Sequence, residues 1–155
     1  MIIIYSVLFS IIGFLLYKQY KKKFNISFKE AMELVELPII TFYNKGQKLN
    51  FLLDTGSNDC IIDSSNLSKL ETVKMQQIKP IFGMEGNIIE GNIYKIGIER
   101  QGYLFESSFN ALDLNEVFGI IKKESGVQIH GILGSNFFQK YKYILDFKDL
   151  MCYIR

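Results

Sequence analysis

The chain has no tryptophan, two prolines, two cysteines and a single histidine in 155 residues. One histidine and no Cys-x-x-Cys pair leave too few donors for a structural zinc site, and no metal or other cofactor is expected. The lone histidine, His130, has no Ser or Cys nucleophile motif beside it, so it is read as structural rather than as a catalytic base. Strong charge of one sign is missing too. Lys and Arg number 18 against 16 Asp and Glu, a net charge of +2. Four of the bases, Lys18, Lys21, Lys22 and Lys23, stand together, and without them the remainder is slightly acidic. That leaves no basic surface from which a nucleic-acid partner would be inferred. Internal repeats and low-complexity tracts are also absent, which excludes solenoids and biased linkers.

What is present begins with an apolar run. Met1 to Tyr17 carries no charge, and Ile2 to Tyr17 is almost wholly apolar. As a helix that run spans roughly 24 Å, a little short of the ~30 Å hydrocarbon core of a bilayer. A signal peptide has positive charge before its apolar run and small residues after it. Here the lysines follow the run, and Tyr17-Lys18-Gln19-Tyr20 stands where small residues would be. The expectation is a retained transmembrane helix with a basic juxtamembrane segment over residues 1–23, against the alternatives of a signal peptide or a buried core helix. Lysines on its C-terminal side place the rest of the chain in the cytoplasm by the positive-inside rule. Cys60 and Cys152 lie in apolar stretches and read as reduced core thiols; the sequence alone leaves a disulfide open, and a cytoplasmic domain argues against one.

Residues 24–37 read as a short helical connector. Ser27 followed by Glu30 is a capping-box pattern, and Phe28, Met32 and Val35 form an apolar stripe at helical spacing. From Pro38 the period shortens to that of strands. Ile39 to Tyr43 and Leu49 to Leu53 flank Asn44-Lys45-Gly46-Gln47, a hairpin signal. Cys60-Ile61-Ile62 reads as a strand, with Asp63 capping a short helix through Leu70. A hairpin is expected over Gln76 to Ile89, then strands through Ile98 and from Tyr103 to Leu112. A helix is expected from about Leu114 to Glu124, started by Asp113 and Glu116 and ended at Gly126. Strands over Ile129–Gly134, Tyr143–Phe147 and Leu150–Ile154, with a helix over Ser135–Lys140, complete a mainly β domain over 38–155.

The densest local signal is Phe51-Leu52-Leu53-Asp54-Thr55-Gly56-Ser57. An apolar strand delivers a carboxylate into a tight turn, and glycine follows where the backbone must bend or approach something closely. Asp-Thr-Gly alone is weak, but its setting is ordered: Cys60-Ile61-Ile62 soon after, then Ile132-Leu133-Gly134, Phe137-Phe138 and Ile144-Leu145-Asp146-Phe147. The set resembles the retropepsin-like aspartic proteases, single-domain relatives of the retroviral protease, and is similar in particular to bacterial membrane-anchored members. The resemblance covers about Leu37 to Ile154.

That resemblance implies a closed β-barrel with a flap hairpin and a few short helices. It implies Asp54 as the catalytic carboxylate and Thr55 as a residue bonding across a two-fold axis. Gly56 would bring its N–H to the carboxylate, and Ser57 would donate to the outer carboxylate oxygen. Gly83, Met84, Glu85 and Gly86 would form the flap over substrate; Ile132, Leu133 and Gly134 would support the catalytic loop. His130 stands where such proteins often carry an acidic residue. Hydrolysis needs two carboxylates sharing a proton, and the chain has one Asp-Thr-Gly, so the partner Asp54 must come from a second copy. The expected function is therefore a membrane-tethered, homodimeric aspartic endopeptidase acting on protein or peptide substrates. The alternative is an inactive membrane-anchored peptide-binding or dimerisation module of the same fold; a lipid-binding role for the basic segment leaves the β domain unexplained.

Overall fold

A computed structural model describes residues 26–82 and 88–154. The expected membrane helix over 1–23 and the flap tip over 83–86 lie outside the described residues. Among the described residues, no helix is long and apolar enough to cross a membrane.

The first described element, α1 (Phe28–Val35), begins at a complete capping box: the Ser27 hydroxyl accepts from the Glu30 amide, and the Glu30 carboxylate accepts from the Ser27 amide. It ends at Glu36 in the left-handed conformation, ahead of Pro38. The helix is more than a link, because Phe28 and Ala31 are buried in the body of the domain. The Ile26 amide donates to Thr41 Oγ1 at 2.8 Å, which pins the chain's entry to the first strand.

Strands β1 (Ile39–Asn44) and β2 (Gln47–Leu53) pair antiparallel through a two-residue turn. Lys45 and Gly46 both have positive φ, the geometry whose twist matches that of the flanking strands. The same device recurs at Gln101-Gly102, between the long strands β5 (Ile88–Arg100) and β6 (Tyr103–Leu112). After β2 come β3 (Cys60–Asp63), a 3-10 turn over Ser64–Lys69 capped by Asp63, and β4 (Thr72–Phe82). Strands β4 and β5 form the expected hairpin, but its arms are far longer than Gln76 to Ile89, since the pairing runs from Thr72↔Ile96 to Phe82↔Ile88 with a bulge between Lys74 and Ile78.

Helix α2 (Asn115–Ser125) ends at Gly126 in the left-handed region. Its start differs from the expectation: Asp113 accepts from the Asn115 amide instead of closing a capping box with Glu116. Strand β7 (Gly131–Leu133) is shorter than expected, and α3 (Ser135–Tyr141), β8 (Tyr143–Asp146) and β9 (Met151–Ile154) follow.

The sheet runs β1-β2-β7-β3-β6-β5 and returns from β5 to β1 at Tyr43↔Glu99, closing a six-stranded barrel with β4 outside it. Closure leaves β4 as the outer strand of this sheet, and β8 pairs with β9 in a separate two-stranded sheet. Strands β1 and β2 are buried on both faces. Ile40, Phe42, Leu49, Phe51 and Leu53 point into the barrel, among Phe105, Phe109 and Phe137. Ile39 and the half-buried Leu52 belong to a smaller outer core with Ala31, Phe118 and Ile129, where α1 and α2 cover the wall. Two-sided burial explains why these strands read as nearly continuous apolar runs rather than alternating ones. The fold class is therefore as expected for the β domain: mainly β, a closed barrel and a few short helices.

Candidate active site

Strand β2 ends at buried Leu53, and the chain turns at Asp54. Three features hold that turn. The Asp54 amide donates to the Leu133 carbonyl at 3.0 Å, continuing the parallel β2–β7 pairing. The Ser57 amide donates to the Asp54 carbonyl at 3.3 Å, closing the turn. The Gly56 amide donates to Asp54 Oδ1 at 2.8 Å, so the backbone itself orients the carboxylate. A Cβ at Gly56 would sit 3.2 Å from that same oxygen, which is why a side chain is unwelcome there.

The loop then rests on α3. The helix has no side-chain cap at Gly134. Its first free N–H groups find partners on the loop instead: Ser135 donates to the Ser57 carbonyl at 2.7 Å and Asn136 to the Asn58 carbonyl at 3.1 Å. Loop and helix start thus satisfy each other's unpaired backbone groups. The Asn136 side-chain oxygen also accepts the Cys60 thiol at 3.2 Å. Gly134 makes the close approach possible. A Cβ there would lie 2.8 Å from the Ser57 carbonyl oxygen and closer still to the carbonyl oxygen of Asp59.

Strand β7 is inserted between the strands on either side of the loop, parallel to β2 and antiparallel to β3. Ile132, Leu133 and Gly134 accordingly lie directly behind Asp54. The carboxylate is partly exposed, and Thr55 and Gly56 are exposed. Ser57 departs from its expected contact, since its hydroxyl donates to the Asp59 carbonyl at 2.9 Å rather than to the Asp54 carboxylate. A hydroxyl two residues from a carbonyl in a tight turn closes a short local ring with it. Gly83, Met84, Glu85 and Gly86 lie outside the described residues, but the paired arms of β4 and β5 lead to them from both sides.

The other acidic residues near these strands have structural partners. Asp63 is buried and accepts from the Ser65 amide and hydroxyl, the Asn66 side chain and the Leu114 amide. Asp146 accepts from the amides of Lys148 and Asp149 in the turn between β8 and β9. Among the described residues, no cluster of three His, Cys, Asp or Glu side chains is placed to hold a metal ion. A groove of about 590 Å³ opens between the start of α1, Arg100 and β9, and none of the loop residues 54–57 lines it.

The roles of three residues here were not legible in the sequence. Ser135 and Asn136 dock the loop through backbone groups, and only the step from Gly134 into a helical stretch hinted at them. His130 reaches β2: its Nδ1 accepts from the Asn50 amide at 3.0 Å, while its own amide donates to the Asn50 carbonyl at 2.8 Å.

Neither a protein-family model nor a curated protein matches the chain. A solved structure does. The EIAV protease, complexed with the inhibitor HBY-793, superposes with a TM-score of 0.51 at 21% sequence identity, over 69% of this chain and 89% of that one. A likeness at that identity speaks for the fold, which is that of a retroviral aspartic protease.

Proposed function

We propose that the chain is an aspartic endopeptidase that works as a homodimer tethered to a membrane. The observation that carries this reading is the Asp54 turn: a carboxylate at a strand end, held on the Gly56 amide, partly exposed and backed by β7 and Gly134. A second copy would bring its own Asp54 to the first. Two carboxylates about 3 Å apart cannot both ionise, so they share one proton. The ionised one takes a proton from a water molecule as that water attacks the peptide carbonyl carbon. The protonated one donates to the carbonyl oxygen and so stabilises the charge that develops there. Collapse of the tetrahedral intermediate breaks the C–N bond and passes a proton to the leaving amine. The titration belongs to the pair and not to either residue.

Exposed Thr55, beside Asp54, suits a contact with the second copy. The hairpin of β4 and β5 suits a flap that covers an extended peptide laid down as an added strand. The uncharged run Met1–Tyr17 and the lysines after it support a single membrane anchor with the protease domain in the cytoplasm. Confinement to the bilayer would raise the effective concentration of both subunits.

The test is cleavage of a mixed peptide library by the full chain in lipid bilayers, wild type beside Asp54→Asn, with the protein-to-lipid ratio varied. Wild-type cleavage should rise faster than linearly with density, and Asp54→Asn should abolish it while melting at the same temperature. Cleavage by a folded Asp54→Asn chain would refute the mechanism, and so would full activity in a species that sediments as a monomer.

A further inference from the structure

His130 is the only histidine of the chain, and the mechanism above makes no use of it. It sits immediately before β7 and grips β2 by two hydrogen bonds in opposite directions. Its amide donates to the Asn50 carbonyl, and its Nδ1 accepts from the Asn50 amide. The imidazole thus takes the place of a backbone carbonyl at the point where the parallel β2–β7 pairing begins. That pairing ends at the bond from the Asp54 amide to the Leu133 carbonyl. The grip and the catalytic loop are therefore the two ends of one short ladder.

Asn50 is itself buried and fully engaged. Its side-chain oxygen accepts from Thr41 Oγ1 at 2.7 Å and its amide group donates to the Gln128 carbonyl at 2.8 Å. Its backbone N–H has no slack to find another partner. An Nδ1 that accepts a hydrogen bond must be unprotonated. Protonation would set N–H against N–H and orphan the Asn50 amide in a half-buried place.

We propose that His130 is a positioning residue that holds the Asp54 loop only as the neutral imidazole, so that the site loosens in acid. The inference rests on the protease reading for its catalytic consequence. The charged groups around the ring are Asp63 at the end of β3, Lys69 in the 3-10 turn and Lys122 on α2. Asp63 favours the charged ring, but its carboxylate is already occupied by donors from Ser65, Asn66 and Leu114. The two lysines oppose the charge. Burial, the largest influence, lowers the pKa of His130 below its ordinary 6.5 and outweighs the Asn50 backbone and Asp63, which raise it. A group depressed in the folded state contributes stability that is complete above its unfolded value and is lost as pH falls through its folded value. The loss therefore falls on the acid side of about 6.5.

The experiment uses the full chain in detergent micelles with its one histidine labelled with nitrogen-15, beside His130→Asn and His130→Leu. Asparagine offers an acceptor oxygen close to the place of Nδ1 that does not titrate; leucine offers none. The ring should show the Nε2–H tautomer and titrate below 6.5. Between neutral pH and pH 5, wild type should lose roughly 3 °C more in melting temperature than His130→Asn. In bilayers, the acid limb of cleavage should move to lower pH in His130→Asn, while His130→Leu should be impaired at every pH. A ring protonated on Nδ1 at neutral pH overturns the proposal, as do melting curves of wild type and His130→Asn that fall in parallel. If no form cleaves at any pH, the protease reading fails, and the tautomer and melting data still decide whether the grip is sensitive to acid.

Discussion

Substitution of Gly134 by alanine tests whether the Asp54 loop is held by close backbone contact. The new methyl group would meet the carbonyl oxygens of Ser57 and Asp59, the first at 2.8 Å and the second nearer still. Both are main-chain atoms, so no side chain can swing aside. The loop would have to retreat by about half an ångström or more, and overpacking of that kind costs about 1–3 kcal/mol. Retreat also stretches the bonds from Ser135 to the Ser57 carbonyl and from Asn136 to the Asn58 carbonyl, each worth about 1 kcal/mol net. The sum, about 3–5 kcal/mol, is a large share of the ~5–15 kcal/mol that holds an ordinary domain together. For a chain of this length it corresponds to a fall of roughly 10 °C in melting temperature.

Two further glycines calibrate the result. A methyl at Gly56 meets only Asp54 Oδ1, at 3.2 Å. That carboxylate can rotate, so Gly56→Ala should cost less than about 1 kcal/mol yet disturb the orientation of Asp54 Oδ1 and, on the proposed mechanism, lower cleavage. A methyl at Gly119, on α2, meets nothing within 4 Å. Gly119→Ala should stabilise by about 0.5–1 kcal/mol through reduced backbone entropy of the unfolded chain. Urea and thermal unfolding of the full chain in micelles, with cleavage in bilayers, read all three. If Gly134→Ala melts within about 2 °C of wild type and cleaves normally, the loop is not held as described.

Phe42 lies at the centre of the barrel, with ring contacts to Phe51, Phe105, Phe137 and Tyr143 at 5.8 to 6.4 Å. Phe42→Ala should destabilise by about 3–5 kcal/mol, and a urea midpoint close to wild type would show that the cluster repacks. Cys60 and Cys152 are both buried. Burial pushes the Cys60 thiol up to about 11 and raises that of Cys152 as well. Neither should react with iodoacetamide at neutral pH while the chain is folded, since the thiolate is the nucleophile; rapid labelling of either thiol would contradict their placement.

The local devices of this fold were legible in the residues. Ser27 and Glu30 do close a capping box, and Gly126 does end α2 in the left-handed region. The Lys45-Gly46 and Gln101-Gly102 turns supply the positive φ values that fix the register of their hairpins. Each depends on groups a few residues apart, so the sequence states it directly. The shape of the Asp54 turn belongs partly here, because an apolar strand running into Asp-Thr-Gly needs only short-range contacts to bend.

The direction of a side chain within that turn did not follow from its spacing. The Ser57 hydroxyl, expected at the Asp54 carboxylate, took the carbonyl of Asp59. The capping pattern at Asp113 and Glu116 failed for a similar reason, since the Asp113 carboxylate found the nearer Asn115 amide. The long arms of β4 and β5 were also missed, because pairing with a neighbour carried the strands past their local signals.

By itself, then, the sequence determined the helix caps, the hairpin turns, the mainly β character and the one carboxylate delivered into a tight turn. Only the tertiary structure decided what stands behind that carboxylate. Closing the barrel slots β7 between β2 and β3, presses Gly134 against the loop and brings His130 to Asn50 across a separation of 80 residues. Short-range hydrogen bonds and backbone angles are written into neighbouring residues. Contacts across such distances exist only once burial of the two apolar faces of β1 and β2 has fixed which strands lie side by side.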